Sequence, residues 1–221
     1  MNQRIRAIAG MVEPGCILAD IGTDHGQLPI FLVKEQIIEK AYACDIAAGP
    51  LSAARENIEK EGLSSKITVI LSDGFENVPD DADCAVIAGM GFYTARDIVE
   101  KADMDHYREI IIQVNGDLNL LRQWISDHHW TIRDEVLVSD RGFDYIAVKI
   151  TFDYHEAYSE QQIWCGPVLM EKSEDEYIAY CRKQIRRLDD LMMKRNREDD
   201  VQKRLRQQSQ LWSAAAIGRK V

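Results

Sequence analysis

Ala19-Asp20-Ile21-Gly22-Thr23-Asp24-His25-Gly26 is the stretch on which the reading of this chain turns. The apolar run Cys16-Ile17-Leu18-Ala19 leads into it, and helix-compatible sequence follows it. An apolar run, an acid, a glycine, polar residues and a second glycine together predict a buried strand. That strand ends in a ligand loop that opens a helix. In an open α/β sheet, ligands bind beyond the carboxyl ends of the strands, where the strand order reverses. The loop therefore marks where chemistry sits before it says which chemistry.

Outward from that loop, strand-like and helix-like runs alternate. A short amphipathic helix is predicted over 2–11 and the first strand over Cys16–Ile21, with a crossover helix over Gln27–Ile38. Strands follow at Ala41–Ile46, Lys66–Leu71, Asp83–Ala88 and Glu109–Val114. Helices lie between them at Pro50–Glu61, from the fourth strand to about Lys101, and at Leu118–His128. Several strands are continuously apolar rather than alternating, as expected of a parallel sheet covered on both faces. Trp130–Val138 and Tyr145–Phe152 are separated only by a short polar interval around Ser139-Asp140-Arg141-Gly142, too short for a crossover, so they should pair antiparallel. A parallel sheet closed by such a hairpin resembles the methyltransferase version of the doubly wound fold. Beyond Gly166-Pro167 the pattern turns helical. Ile178, Cys181, Ile185, Leu188 and Met192 form one apolar stripe, and Val201, Leu205, Gln208 and Trp212 form another. Two such helices joined by a polar turn suggest an antiparallel, coiled-coil-like hairpin. The division this implies is a ligand-binding body over 1–165 and a helical appendage over 166–221.

The 221 residues are 46% hydrophobic and 29% charged, an ordinary globular composition. No apolar run approaches the ~20 residues of a membrane span. The start of the chain, Met1-Asn2-Gln3-Arg4-Ile5-Arg6, has no apolar core of signal type, so a cytoplasmic protein is expected. Cys16, Cys44, Cys84, Cys165 and Cys181 lie far apart and read as buried thiols in a reducing compartment. No cysteine or histidine pair has the spacing of a metal site. Charge is uneven. Residues 1–165 carry 14 Lys and Arg against 28 Asp and Glu, a net of −14, whereas 166–221 carry 13 against 9, a net of +4. An acidic body is a poor general binder of nucleic acid, because phosphate contacts need cations. The basic tail is the region able to meet a polyanion, although on charge alone a solvated helical face is the simpler account of it.

Four loops at the strand ends stand out: Gly22 to Gly26; Asp45; Ser72-Asp73-Gly74; and Ala88-Gly89-Met90-Gly91. Glycines let backbone approach a ligand closely. A carboxylate after the second strand can accept both hydroxyls of a ribose. Asp73 is placed to accept from an adenine amino group, and the fourth loop admits a flat ligand. Each element alone has a bland reading as a turn or cap residue. Four in order, one per βα unit, point to an adenosine-containing cofactor. A dinucleotide loop would read G-x-G-x-x-G. Here Asp24 and His25 stand where a pyrophosphate wants bare backbone, and the acid suits a cationic sulfonium better.

The chain resembles the bacterial tRNA adenine-22 N1-methyltransferase family. The resemblance runs through Arg4, Ala19 to His25 with Leu28-Pro29, Gly49-Pro50, Gly62-Leu63, Ile67 and Asp73-Gly74. It continues through Ile87 to Gly91, Gln113 and Asn115, Arg122-Gln123-Trp124, Glu135-Val136 and Gly166-Pro167. It implies a Rossmann-like class I methyltransferase sheet with an antiparallel final hairpin and a C-terminal helical coiled-coil hairpin. It further implies S-adenosyl-L-methionine as cofactor and N1 of an adenine in the tRNA D-arm as target. On this reading Asp20, Gly22, Thr23, His25, Gly26, Asp45, Ile46, Asp73, Gly74, Ala88, Gly89 and Met90 bind the cofactor. Asp24 faces the reaction and accepts from the adenine amine, Arg4 holds phosphate or the target base, and Asn115 completes the catalytic set. Arg182, Lys183, Arg186, Arg187, Lys194, Arg195 and Arg197 grip the tRNA backbone. His25 is read either as a general base or, preferably, as a residue that fixes its loop through a backbone hydrogen bond.

The chain departs from the family pattern in places. Phe92 replaces the last glycine of Gly-Met-Gly-Gly, and Val114 the proline of Gln-Pro-Asn. Asp45 stands for the usual Glu, and Phe143-Asp144-Tyr145 for a Tyr-Glu pair. Phe92 or Tyr93 could stack on a flipped adenine or could simply start a helix packed on the sheet. The rival functions are a diverged paralogue that methylates another RNA or a small molecule, and a non-catalytic binding module.

Overall fold

A computed structural model describes residues 2–172, 174–193 and 199–217. The elements run α1 (Gln3–Ala9), β1 (Ile17–Ile21), α2 (Gln27–Lys34), β2 (Lys40–Asp45), α3 (Ala48–Lys60), β3 (Ile67–Leu71), β4 (Cys84–Met90) and α4 (Phe92–Glu100). They continue with β5 (Glu109–Val114), α5 (Leu118–Asp127), β6 (Trp130–Asp140), β7 (Phe143–Tyr154), α6 (Glu160–Cys165), α7 (Pro167–Lys172), α8 (Asp175–Met193) and α9 (Asp199–Ile217). One sheet of order β3-β2-β1-β4-β5-β7-β6 holds all the strands among the described residues. β1 to β5 pair parallel, and β7 inserts antiparallel between β5 and β6.

The continuous apolar strands are explained by two cores, one on each face. In β5, Ile110, Ile112 and Val114 enter one core, whereas Ile111 enters the other. In β1, Ala19 and Ile21 oppose Leu18 in the same way. Period-2 alternation thus puts apolar side chains on both faces wherever both are covered. Ile8, Leu28, Leu32, Ala54 and Ile58 of α1 to α3 cover one face. Ala95, Leu121 and Ile125 of α4 and α5 cover the other, joined by Tyr177, Cys181, Leu188, Leu205 and Trp212 of the C-terminal helices.

Some bounds differ from expectation for local reasons. α2 stops at Lys34, four residues early, because Gln36 takes a left-handed conformation (φ 58°) that a helix cannot propagate. β6 and β7 run further than predicted, up to a tight turn in which Arg141 (φ 51°) and Gly142 (φ 84°) are both left-handed. Two positive-φ residues match the twist of the flanking strands. The helix α6 was not predicted. Ser159 caps it and Gln162 reaches back to the Ser159 backbone, a full capping box.

α8 and α9 lie antiparallel, with Tyr180 edge-on to Trp212 at 5.6 Å and Gln202 donating to the Met192 carbonyl. A fully buried ion pair ties this layer to the sheet. Arg122 Nε of α5 lies 2.7 Å from Glu135 Oε1 of β6. Arg122 also donates to the Ile163 and Trp164 carbonyls of α6, and Glu135 Oε2 accepts from the Val168 and Leu169 N–H groups of α7. Gly166 crosses this pair at φ 89°, and a Cβ there would sit 2.6 Å from Arg122 Nη2. Arg122, Glu135 and Gly166 are thus parts of one anchor.

Candidate active site

Two cavities adjoin at the carboxyl ends of the central strands. The first, of about 350 Å³, lies over β1, β2 and β4, and its lining includes Asp20, Gly22, Thr23, Asp24, His25, Asp45, Ala88, Gly89, Met90 and Arg4. The second, of about 480 Å³, lies over β5 and the β6–β7 turn, lined by Asn2, Arg4, Val114, Asn115, Gly116, Asp140, Arg141, Phe143, Asp144 and Tyr145. Arg4 belongs to both, so the start of α1 forms the wall between them.

The first cavity is shaped by backbone. Gly22 (φ 77°) and Thr23 both donate to the Cys44 carbonyl, which binds the β1 loop to β2. A Cβ at Gly22 would come within 2.4 Å of Met90 Cε, and one at Gly89 (φ 81°) within 3.2 Å of Arg4 Nη1. Asp24 is also left-handed (φ 52°), a conformation that Asp tolerates better than most side chains. Its carboxylate is 70% exposed and sits 3.5 Å from His25 Nε2. The His25 carbonyl accepts from Asn57 of α3, so this residue's backbone, rather than its ring, ties the loop down. Gly26 caps α2 in a left-handed conformation and is buried beneath the loop.

Asp20 is buried at the end of β1, where Thr23 Oγ1 donates to it at 2.6 Å. Burial pushes its carboxyl up to about 6; the Thr23 bond opposes that rise and the Asp45 carboxylate adds to it. Asp45 accepts from the Ala47 N–H through one oxygen. Ile46 beside it is 68% exposed on the rim. Asp73 and Gly74 line a third, smaller cavity of about 210 Å³ with Ile98 and Tyr107, next to the β3 end.

In the second cavity the polar groups form a chain. Arg4 Nη1 donates to Gln113 Oε1 at 3.0 Å, and Gln113 Nε2 donates to the Val114 carbonyl and to Asn115 Oδ1. Asn115 Nδ2 in turn donates to the Gly89 carbonyl at 2.7 Å. The Arg4 guanidinium lies 5.5 Å from the centre of the Tyr145 ring, within cation–π range. Phe143, two residues along β7, is 67% exposed at the mouth. Tyr145, Phe143 and Gln113 were not singled out as site residues. Gln113 lies 109 residues from Arg4, and only the insertion of β7 beside β5 brings Tyr145 to the same opening. The alternative left open for Phe92 is settled: it is the first residue of α4, buried in the core, and neither it nor the exposed Tyr93 lines the second cavity.

Of the basic residues singled out on the C-terminal hairpin, Arg182, Lys183, Arg186 and Arg187 are exposed on α8. Lys183 is engaged, with its ammonium 2.6 Å from Asp144 Oδ2 beside the second cavity. Burial alone would raise the Asp144 carboxyl, but Lys183 and the Ser139 hydroxyl outweigh it and hold it below its ordinary value. Lys194, Arg195 and Arg197 lie outside the described residues. Among the described residues no helix is long and apolar enough to cross a membrane.

Known proteins share this architecture. A methyltransferase-domain family model matches residues 1–148. The tRNA (adenine(22)-N(1))-methyltransferase of Bacillus subtilis is 31% identical over 170 residues, which span 75% of this chain and 71% of that protein. TrmK of M. capricolum, solved with S-adenosyl-homocysteine, is 28% identical with a TM-score of 0.86, covering 98% of each chain. A Streptococcus pneumoniae candidate tRNA (m1A22) methyltransferase, solved with S-adenosyl-L-methionine, is 26% identical with a TM-score of 0.89, covering 98% of this chain and 99% of that one. By the methyltransferase sheet that fills most of its length and by this likeness to the Bacillus subtilis enzyme, the chain belongs to the tRNA (adenine(22)-N(1))-methyltransferase family.

Proposed function

We propose that this protein methylates N1 of the adenine at position 22 in the D-arm of tRNA, with S-adenosyl-L-methionine bound in the first cavity. The observation that carries the proposal is the pair of adjoining cavities that share Arg4 as a wall, with Gly89 lining the first and Asn115, bonded to its carbonyl, lining the second. One is acidic and floored by glycines; the other is open, polar and flanked by aromatic rings. The first fits the cofactor by its chemistry. A Cβ at Gly22 or Gly89 would push Met90 or Arg4 off the cavity wall, so these glycines keep the cavity's shape, and Asp20 and Asp45 suit a ligand with cationic groups. When bound, the cofactor supplies an electrophilic methyl group on a sulfonium sulfur.

The residues then have positioning and electrostatic work. Adenine N1 carries a lone pair, so no proton has to leave before it attacks, and aligning it with the methyl carbon does much of the catalysis. The adenine must leave its stack to enter the second cavity. The product ring is cationic, and the Asp24 carboxylate at the rim offsets that charge as it develops. Arg4 and Asn115 hold the base at the cavity wall. Asp45 in the first cavity and Ile46 beside it border the cofactor's adenosine half, whereas Asp73 and Gly74 line the separate third cavity at the β3 end and would reach the cofactor only from that side. Thr23, His25, Ala88 and Met90 line the rest of the first cavity, and Gly26, buried beneath them, holds the start of α2.

The exposed α8 arginines Arg182, Arg186 and Arg187 give the RNA backbone a cationic face that the acidic body lacks. Five free, buried cysteines suit a cytoplasmic setting. The test is transfer from S-adenosyl-L-methionine to tRNA transcripts with adenosine or guanosine at position 22. Transfer to the adenosine form alone supports the proposal; transfer to both or to neither overturns the assignment of the target.

A further inference from the structure

The geometry points to Gln113 as a residue that, together with the Gly89 carbonyl, makes the second cavity selective for a 6-aminopurine, by fixing which end of the Asn115 amide faces the base. This inference rests on the function proposed above and concerns how that site reads its target. Amide side chains can present oxygen or nitrogen at nearly the same position, and only their hydrogen-bond partners decide which. Here the decision is forced from both ends. Arg4 can only donate, so the Gln113 atom facing it at 3.0 Å must be the oxygen. The Gln113 nitrogen then points at the Val114 carbonyl, which can only accept, and at Asn115. Asn115 must meet that N–H with its oxygen, at 3.2 Å. The far end of the chain agrees, since the Gly89 carbonyl can only accept and takes the Asn115 nitrogen at 2.7 Å.

Gln113 is 1% exposed and does not line the second cavity, so it acts through Asn115, which does. One lone pair of Asn115 Oδ1 is taken by Gln113, and the other remains to accept from a base. A 6-amino group donates to such an acceptor, whereas a 6-oxo group repels it. The bond also strengthens as the reaction proceeds. Methylation at N1 makes the ring cationic and its 6-amino group a better donor, so the acceptor favours the transition state over the bound substrate. The contribution should therefore appear in kcat more than in KM.

The test compares two tRNAs that carry adenosine or purine riboside at position 22; the latter has the same ring without the amino group. Wild-type protein and the Gln113→Glu and Gln113→Met variants are assayed on both, with melting temperature and S-adenosyl-L-methionine affinity measured alongside. Glutamate keeps the acceptor for Arg4 but cannot donate to Asn115. Methionine keeps the volume and removes all three bonds of the Gln113 amide, and it serves if the glutamate variant does not fold. The expected result is that the adenosine-to-purine ratio of kcat falls about tenfold or more in the variants, the size of a hydrogen bond with charged character. Cofactor affinity should stay unchanged. Equal losses on both RNAs would overturn the inference and leave Gln113 a structural residue. Absence of transfer to the adenosine RNA by the wild type would instead overturn the function on which the inference rests.

Discussion

Glu135→Gln tests how the C-terminal helices are held to the sheet. Glu135 is fully buried, with one oxygen 2.7 Å from Arg122 Nε and the other accepting from the Val168 and Leu169 N–H groups. Every neighbour of the carboxylate is a donor. A glutamine there must turn its NH2 toward one of them, so each orientation sets two donors face to face. It also leaves the Arg122 guanidinium, 1% exposed, with two main-chain carbonyls and no counter-charge. Removing one partner of a buried pair costs about 3–5 kcal/mol. At roughly 2–4 °C per kcal/mol for a chain of this size, the melting temperature should drop by about 6–20 °C. The assay is thermal unfolding followed by circular dichroism. The double substitution of Arg122→Met with Glu135→Leu, which removes both charges, should recover most of the loss. A Glu135→Gln shift under about 2 °C would refute the reasoning. So would a double variant no more stable than the single one.

Gly166→Ala should destabilise by a comparable amount in the same assay, because its Cβ would meet Arg122 Nη2 at 2.6 Å and its φ of 89° strains any side chain. Asp24→Ala should keep S-adenosyl-L-methionine affinity within about tenfold by calorimetry while lowering kcat by roughly 10²-fold, the cost of losing a preorganised charge; loss of cofactor binding alone would move Asp24 to the cofactor's side. Asp20 has a folded-state value of about 6 against 3.8 unperturbed, so its contribution to stability is full below pH 4 and lost as pH rises through 6. Asp20→Asn should therefore match the wild type near pH 4 and exceed it by up to about 3 kcal/mol at pH 7, read from denaturant titrations at both pH values. Replacing Arg182, Arg186 and Arg187 together with Gln should weaken tRNA binding and flatten its dependence on log salt by roughly 2 to 3, and an unchanged slope would free α8 of an RNA role.

The sheet was legible because its strands are short apolar runs separated by turn residues, and the β6–β7 interval is too short for anything but a hairpin. The four strand-end loops were legible for the same reason: each follows a strand, and parallel topology sends every such end to one side. What lay beyond reach was convergence. Arg4, Gln113 and Tyr145 meet only because α1 folds over the β5 end and β7 inserts beside β5, and local patterning encodes neither event. Phe92 was ambiguous because the first position of a helix can face core or solvent, and the packing of α4 on the sheet decides it. The helix α6 was missed despite a readable signal, Ser159 with Gln162 three residues on. Arg122, Glu135 and Gly166 carried family resemblance without a reason, and the buried pair supplies one.

The central claim is tested most directly by methyl transfer from labelled S-adenosyl-L-methionine into unmodified tRNA, with the product nucleoside and its position identified by mass spectrometry. The account expects N1-methyladenosine at position 22. A different methylated nucleoside, or no transfer by protein that binds the cofactor, would contradict it.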